Sequence, residues 1–467
     1  MRIRLLDGAR GPDPAAQTAH ALHTLLEALG LPEKGDRLLF SGKKVACPLF
    51  REATVELPCG EAMSAEEAIR IHRRIAAEDA SLIHCEGDRV RVGADILGAA
   101  AFWLTGAHEA GAPCDPFGRP LGARGVLARA GLLAQPPVDG LLRLLWDALS
   151  RAAQLEGSEL ERIPAWPDDH RFAVLLSHDV DLWRKRTPRQ LAKELLRAAR
   201  DPRRLPRLAR AFTRGPDPWA DLDAIADLEA GYSMRSTFFV FAGRPNLRLH
   251  GIGIVNSYDA PREAVGHTLR RLAERGWEVA LHGSYQSFDS PSELRAEKAD
   301  LEALLGQEVW GCRQHFLRFA WPATWLAQAE AGLRYDATLG YHDADGCRAG
   351  LSFPFRAHAG QELPLLVLPL VVADGALREH EGLGPEAAWE RLKTHLERTA
   401  AQGSMLGILW HNTHFCELDA PGYPGVYERV LDWTRSHGGW GASARDILTW
   451  WEKRAALLAP RALALPG

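Results

Sequence analysis

Four apolar runs in this chain end in residues that can do chemistry. Phe172 to Leu176 leads straight into Ser177-His178-Asp179-Val180-Asp181. Trp277-Glu-Val-Ala-Leu-His282, Gly311-Cys-Arg313-Gln-His315 and Gly407-Ile-Leu-Trp-His411-Asn412-Thr-His414 share the same plan. Alternation along a strand puts Asp179 and Asp181 on one side, two residues apart. Two carboxylates that close repel each other unless a cation lies between them, or unless one holds a metal while the other handles protons. Taken singly, an Asp there also fits a turn or helix cap, and a lone histidine also fits a structural hydrogen bond. Taken together, Asp and His suit zinc or a related divalent ion. The acid left over would serve as base toward a water molecule, and a more distant histidine would protonate a leaving group.

Such a constellation needs elements that bring distant residues to one place. Strand-length apolar runs occur at 172–178, 235–241, 277–282, 308–313, 365–372 and 405–411. Amphipathic stretches at 259–275, 290–305, 323–332 and 385–401 separate them. Alternation of this kind predicts an α/β fold with parallel strands, and such folds collect functional groups at the C-terminal ends of the strands. The polar residues above sit at those ends. Before them, a helix is expected over 16–29, a strand over 88–93, and helices over 95–105 and 138–154. The polar, proline-bearing stretch Glu156 to His170 marks a boundary. Two domains are expected, a smaller α/β unit over 1–160 and an α/β sheet or barrel over 168–460.

A length of 467 residues is more than one ordinary core needs, which fits two units. The apolar fraction of 46% and charged fraction of 25% place the chain among ordinary globular proteins. A net charge of −4 gives no global case for nucleic-acid binding. The start, Met1-Arg-Ile-Arg-Leu-Leu-Asp-Gly, lacks the apolar stretch of a secretory signal, and no apolar run reaches the ~18 residues of a membrane span. The seven cysteines are scattered and odd in number, which argues against a disulfide framework or a cysteine zinc site. Together these features lead us to expect a cytoplasmic protein. Residues 184–214 depart from the average, with 12 Arg or Lys and two acids. They read as a pair of solvated helices, although the charge would also suit an anionic substrate, a lipid phosphate or a membrane surface.

Residues 172 to about 455 resemble the polysaccharide deacetylase family, the NodB-homology domain of carbohydrate de-N-acetylases. The pieces that carry the resemblance are, in order, Ser177–Asp181, Gly231-Tyr-Ser-Met-Arg-Ser-Thr237-Phe-Phe-Val, Gly276-Trp-Glu-Val-Ala-Leu-His282, Arg313 and Leu409-Trp410-His411. The resemblance implies a distorted (β/α)7 barrel and a metal-dependent hydrolase that removes an acyl group, acetyl above all, from an amino sugar in a saccharide or lipid-linked saccharide precursor. It implies Asp179 as general base, Asp181 and His282 as metal ligands, Arg313 as the partner that keeps Asp179 ionised, and His411 as general acid with Asp374 orienting it. Zinc is the expected ion. The family usually carries a second histidine four residues after the first, and here that position is Gln286. His315 on the neighbouring strand is expected to supply the missing imidazole. The alternatives are that Gln286 or a water fills the place, or that the site has decayed and the protein only binds saccharides. Hydrolysis of another C–N bond, in a sugar formamide or cyclic amide, is a further possibility. His178 and His414 are expected on the opposite strand face in structural roles.

Aromatic residues near the strand ends (Trp183, Tyr285, Phe288, Trp321, Trp325, Tyr341 and Trp410) would suit sugar stacking as well as core packing. Asp336 to Arg348 reads as a loop over the site. In the N-terminal part, Asp95-Ile-Leu-Gly-Ala-Ala-Ala-Phe-Trp-Leu and Asp115-Pro-Phe-Gly118-Arg119 are similar to a domain of unknown role fused to a bacterial subset of these deacetylases.

Overall fold

The computed structural model describes residues 2–6, 14–31, 38–40, 43–45, 54–58, 63–160, 162–250 and 252–458. Cys47 and Cys59 lie outside them, and Cys85, Cys114, Cys312, Cys347 and Cys416 are free thiols. Ten strands form the sheet that carries the strand-end residues: β1 (Phe172–Val180), β2 (Thr237–Val240), β3 (Glu278–Gly283), β4 (Gly311–Gln314), β5 (Tyr335–Asp336), β6 (Phe355–His358), β7 (Glu362–Val367), β8 (Val372–Ala373), β9 (Met405–Leu409) and β10 (Gly439–Ala442). Their order is β6-β7-β5-β4-β3-β2-β1-β9-β8, with β10 also on β1. All neighbours run parallel except β6 and β7. Helices such as Arg262–Glu274, Pro291–Leu305, Ala323–Glu330 and Pro385–Gln402 connect them. This is the α/β crossover pattern predicted from the alternation.

The continuous segment 362–373 closes the barrel. Its first part pairs with β5 (Tyr335 opposite Leu366) and its last part with β9 (Val372 opposite Ile408). Between them the Leu370 amide donates to the Leu339 carbonyl and the Val371 amide to the Gly407 carbonyl. The bend needs a bare backbone opposite it. A Cβ on Gly407 would lie 2.1 Å from the Pro369 carbonyl oxygen. Counting 362–373 as one member, seven parallel members form the ring, the distorted (β/α)7 barrel expected. β1 to β4 and β9 are largely or wholly buried, which explains why they read as apolar runs.

The N-terminal part is a four-stranded sheet, ordered Arg2–Leu6, Thr54–Pro58, Arg89–Val92, Ile83–Glu86, with helices Pro14–Leu29, Ala65–Ala76, Ile96–Leu104 and Pro137–Leu155. Its apolar residues continue into the barrel core. Buried polar ties cross between them. Arg348 makes a two-pronged pair with Glu109 at 2.7 and 2.8 Å, and the Ser352 amide donates to Asp139 at 3.0 Å. The stretch read as a boundary is itself held down, with Ile163 and Trp166 buried and the Trp166 indole donating to the Gly403 carbonyl at 2.8 Å.

Candidate metal centre and acid–base site

Parallel strands end together, so the tips of β1, β3, β4, β8 and β9 converge on one cavity of about 270 Å³. Asp179, Asp181, His282, His315 and His411 all line it. The sequence named each of these.

Asp181, His282 and His315 form the first cluster, their ligand atoms all within 4.8 Å of one another. His282 Nε2 is 3.3 Å from Asp181 Oδ1 and 3.1 Å from His315 Nδ1, and His315 Nδ1 is 3.6 Å from the same Asp181 oxygen. Donor atoms about 2.1 Å from a tetrahedral ion sit about 3.4 Å from one another, so this spacing fits one divalent cation. The polar bonding agrees. His282 Nδ1 donates to the Arg313 carbonyl at 2.8 Å, which turns the lone pair on Nε2 inward. Asp181 Oδ1 is buried and has no hydrogen-bond donor. A carboxylate oxygen in that position is costly unless a cation answers it. Burial pushes the His315 imidazole down to about 3, and His282 adds to that, so its ring is neutral and able to ligate at ordinary pH. Burial opposes the charge on Asp181, but the imidazoles of His282 and His411 outweigh it and hold this carboxyl below its usual range.

Gln286 takes no part in this cluster. It is exposed just after β3, and its side-chain oxygen accepts from Asn256 at 3.3 Å.

Asp179 lies beside the cluster, 3.7 Å from His282 Nε2. Arg313 holds it through Nη1 at 2.8 Å. The guanidinium is itself fixed by the Ala337 carbonyl (2.9 Å), the Ser177 hydroxyl (2.8 Å) and the face of Phe239 beneath it (4.3 Å). Asp179 therefore keeps one oxygen on a buried cation and the other toward the cavity.

The second cluster is Asp374, His411 and His414. Asp374 is fully buried at the end of β8. Its Oδ1 accepts from His411 Nδ1 at 2.6 Å and from the Gly375 amide at 2.8 Å, and its Oδ2 accepts from the His411 amide at 2.7 Å and from His414 Nδ1 at 2.6 Å. Burial works against protonated imidazoles, but Asp374 overrides it. His411 is pushed up to about 10, with help from Asp181 and Asp179, and His414 to about 9. His411 Nε2 then faces Asp181 Oδ2 at 3.6 Å and presents a proton to the cavity.

His414 does not sit on an opposite strand face as expected. β9 stops at Leu409, and a 3-10 turn, Asn412–Phe415, brings His414 back beside Asp374. His178 does have the structural role expected. It is fully buried, with Nδ1 on the Trp410 carbonyl (2.9 Å) and Nε2 on Glu229 (2.8 Å), which also receives Ser236, Trp277 and Tyr427.

Three features of the wall were not legible in the sequence. None of the seven aromatics singled out lines the cavity, because packing takes them inward or onto cations, as with Trp325 and Trp410 in the core and Tyr285 and Phe288 on Arg318. Phe316 lines it instead, held at φ +64° in the left-handed region, a conformation that costs bulky residues of order 1–3 kcal/mol and concentrates at functional sites. Arg119 reaches in from the N-terminal part. The turn Asp115–Arg119 is tied by Asp115 Oδ1 to the amides of Phe117 (2.9 Å) and Arg119 (2.8 Å). The Arg119 guanidinium pairs with Asp115 and donates to the Phe316 carbonyl at 3.1 Å. The loop after β5 also covers the site in part, through His342, while Asp343 receives the amides of Gly122 and Ala123.

No family model matches the chain, and no curated relative does. Among solved structures, a probable polysaccharide deacetylase from Pseudomonas aeruginosa is similar at 18% identity, covering 63% of this chain and 95% of that one, with a TM-score of 0.43. An allantoinase is similar at 18% identity, covering 63% of this chain and 94% of its own, TM-score 0.42. A CE4 family pseudoenzyme from Bacillus anthracis is similar at 12% identity, covering 62% and 72%, TM-score 0.31. Likeness this distant carries no argument about activity, which rests on the residues of the cavity.

Proposed function

We propose that the protein is a metal-dependent hydrolase that removes an N-acyl group, acetyl above all, from an amino sugar in a saccharide or lipid-linked saccharide precursor. The observation that carries the reading is the convergence of Asp181, His282 and His315 at ligand spacing around a carboxylate oxygen with no donor, with an acid and a protonated histidine on either side. Asp181, His282 and His315 would hold the ion, and zinc suits their chemistry. Such an ion supplies Lewis acidity to an amide carbonyl.

The other residues divide the proton work. Asp179 takes the proton from the attacking water, and Arg313 fixes its orientation. His411, protonated through Asp374, delivers a proton to the departing amine nitrogen. Without that proton the leaving group would depart as an amide anion, which is far too basic to be released at neutral pH. Phe316 and Arg119 border the cavity where the sugar ring would lie, one offering an apolar face and the other N–H donors.

The test is release of acetate from N-acetylated saccharides by metal-loaded protein, with sugar formamides and cyclic amides as parallel substrates. Asp179→Asn should abolish release and leave the metal in place. Turnover that survives this substitution means that the base is misassigned. Turnover of only the formamide or cyclic amide replaces the acyl group in the proposal. A protein that binds saccharides but releases nothing from any substrate refutes the hydrolase.

A further inference from the structure

Helices Pro188–Arg200 and Leu205–Thr213 are turned the unusual way out. A surface helix normally buries its apolar stripe and shows its charges. In the first helix only Glu194 and Ala198 are buried. At about 100° per residue, the neighbouring arc holds Leu191, Ala192, Leu195, Leu196 and Ala199, and all five are exposed. Leu196 is 69% exposed, Leu195 50%, and Leu205, which opens the second helix, also 50%. Single exposed leucines are ordinary. Here four of the seven exposed large apolar residues among the described residues fall between 191 and 205, which makes a patch.

The charge beside the patch is one-sided. Arg189, Lys193, Arg200, Arg203, Arg207 and Arg210 are exposed and form no ion pair among the described residues. The two acids of the segment are already engaged. Glu194 is buried among Lys185, Arg197 and Arg204, and Asp201 caps the next turn by accepting from the Arg203 amide. The hairpin itself is firmly seated. Lys185 pairs with Asp419 at 2.6 Å, Arg204 donates to the Leu418 carbonyl at 2.9 Å, and Leu208 is buried with Trp219 and Leu418. The exposed face is therefore a fixed surface.

We propose that this hairpin docks the protein onto a membrane surface rich in anionic lipid. Leucines flanked by arginines on a short amphipathic helix are what an interface of acyl chains below phosphates accommodates, with the apolar arc in the chain region and the guanidiniums among the headgroups. No helix among the described residues is long and apolar enough to cross a membrane, so the contact is one of lying on the surface. A second copy of the chain would bring the same positive charge and be repelled. A nucleic acid would satisfy the arginines and leave the leucines in water. The hairpin starts seven residues after Asp181, on the side of the barrel where the cavity opens. Docking there would present the cavity to molecules held at the membrane, whatever reaction it performs.

The test is co-sedimentation of the full chain with vesicles of phosphatidylcholine alone and of phosphatidylcholine with about 30% phosphatidylglycerol, a composition that gives roughly the anionic surface potential to which polybasic segments respond. Binding is expected to the mixed vesicles only. It should fall at least tenfold in L195Q/L196Q and at least tenfold in R189Q/K193Q/R200Q. All five positions are exposed and none lines the cavity, so thermal unfolding and basal activity should match the unaltered chain. Absence of binding to the mixed vesicles overturns the proposal. So does a leucine variant that binds as before, and in that case retention on DNA or on a polyanionic protein would identify a purely electrostatic partner.

Discussion

Two clusters built from the same residues, one aspartate and two histidines, meet at the cavity, the second reaching it through His411, and they are prepared for opposite tasks. In Asp181–His282–His315 the carboxylate oxygen has no donor and the ring nitrogens face one another. In Asp374–His411–His414 both carboxylate oxygens are saturated by four donors. The first turns lone pairs toward a common point, as a cation site does. The second already has its cations, as two imidazoliums. The imidazole of each cluster that differs most makes the contrast, with His315 pushed down to about 3 by burial and His411 up to about 10 by Asp374. Residue composition therefore does not separate a metal site from a proton store. What separates them is which carboxylate the backbone amides and ring N–H groups reach first.

Substitutions can break this division at its strongest point first. His282→Ala should remove the ion and lower kcat/KM by at least about a thousandfold, because the Lewis acid and its placement go together. Metal content and acetate release measured on one preparation check both. Asp374→Asn should keep the ion and still lower kcat by roughly 10²- to 10⁴-fold, the range for losing acid–base catalysis. The pH profile sharpens the distinction. His411 works as the protonated form, so activity that depends on it is present below its pKa and is lost as pH rises toward about 10. Asp374→Asn removes the largest favourable field on His411, so the alkaline limb should move to lower pH. A limb that stays in place would mean that some other group reports there.

His315→Ala should weaken metal affinity beyond the about 10- to 100-fold typical of losing an outer partner of a ligand, measured by competition with a chelating dye. The smallest effect expected is that of Gln286→Ala. The side chain is exposed and its one bond goes to Asn256, so metal content and kcat should stay within about twofold.

The strand tips were legible because burial on both faces writes an apolar run, and a polar residue at its end stands out. Asp179, Asp181, His282, Arg313 and His411 were found that way. Parallel strands were implied by the alternation of strands and helices and a ring of seven by the family resemblance, but the device that closes the ring was not. The run 365–372 reads as one strand, whereas its two ends pair with different neighbours across a bend. His414 was misplaced because strand alternation was carried past the end of β9 into a 3-10 turn. Phe316 was missed because a positive φ on a phenylalanine is imposed by its surroundings and leaves no mark in the sequence. Arg119 was missed because it stands far along the chain from every strand tip, on a turn whose placement depends on how the two parts of the chain pack. The domain resemblance drew notice to Asp115–Arg119, but gave no reason to put it at the cavity.

One experiment reaches the central claim directly: a crystal of the purified protein, grown without chelator, with the ion located by anomalous scattering at its absorption edge. The account predicts a single peak bonded to Asp181, His282 and His315, and none at Asp374. A peak between Asp374, His411 and His414, or a full-occupancy ion that does not touch His315, would contradict it.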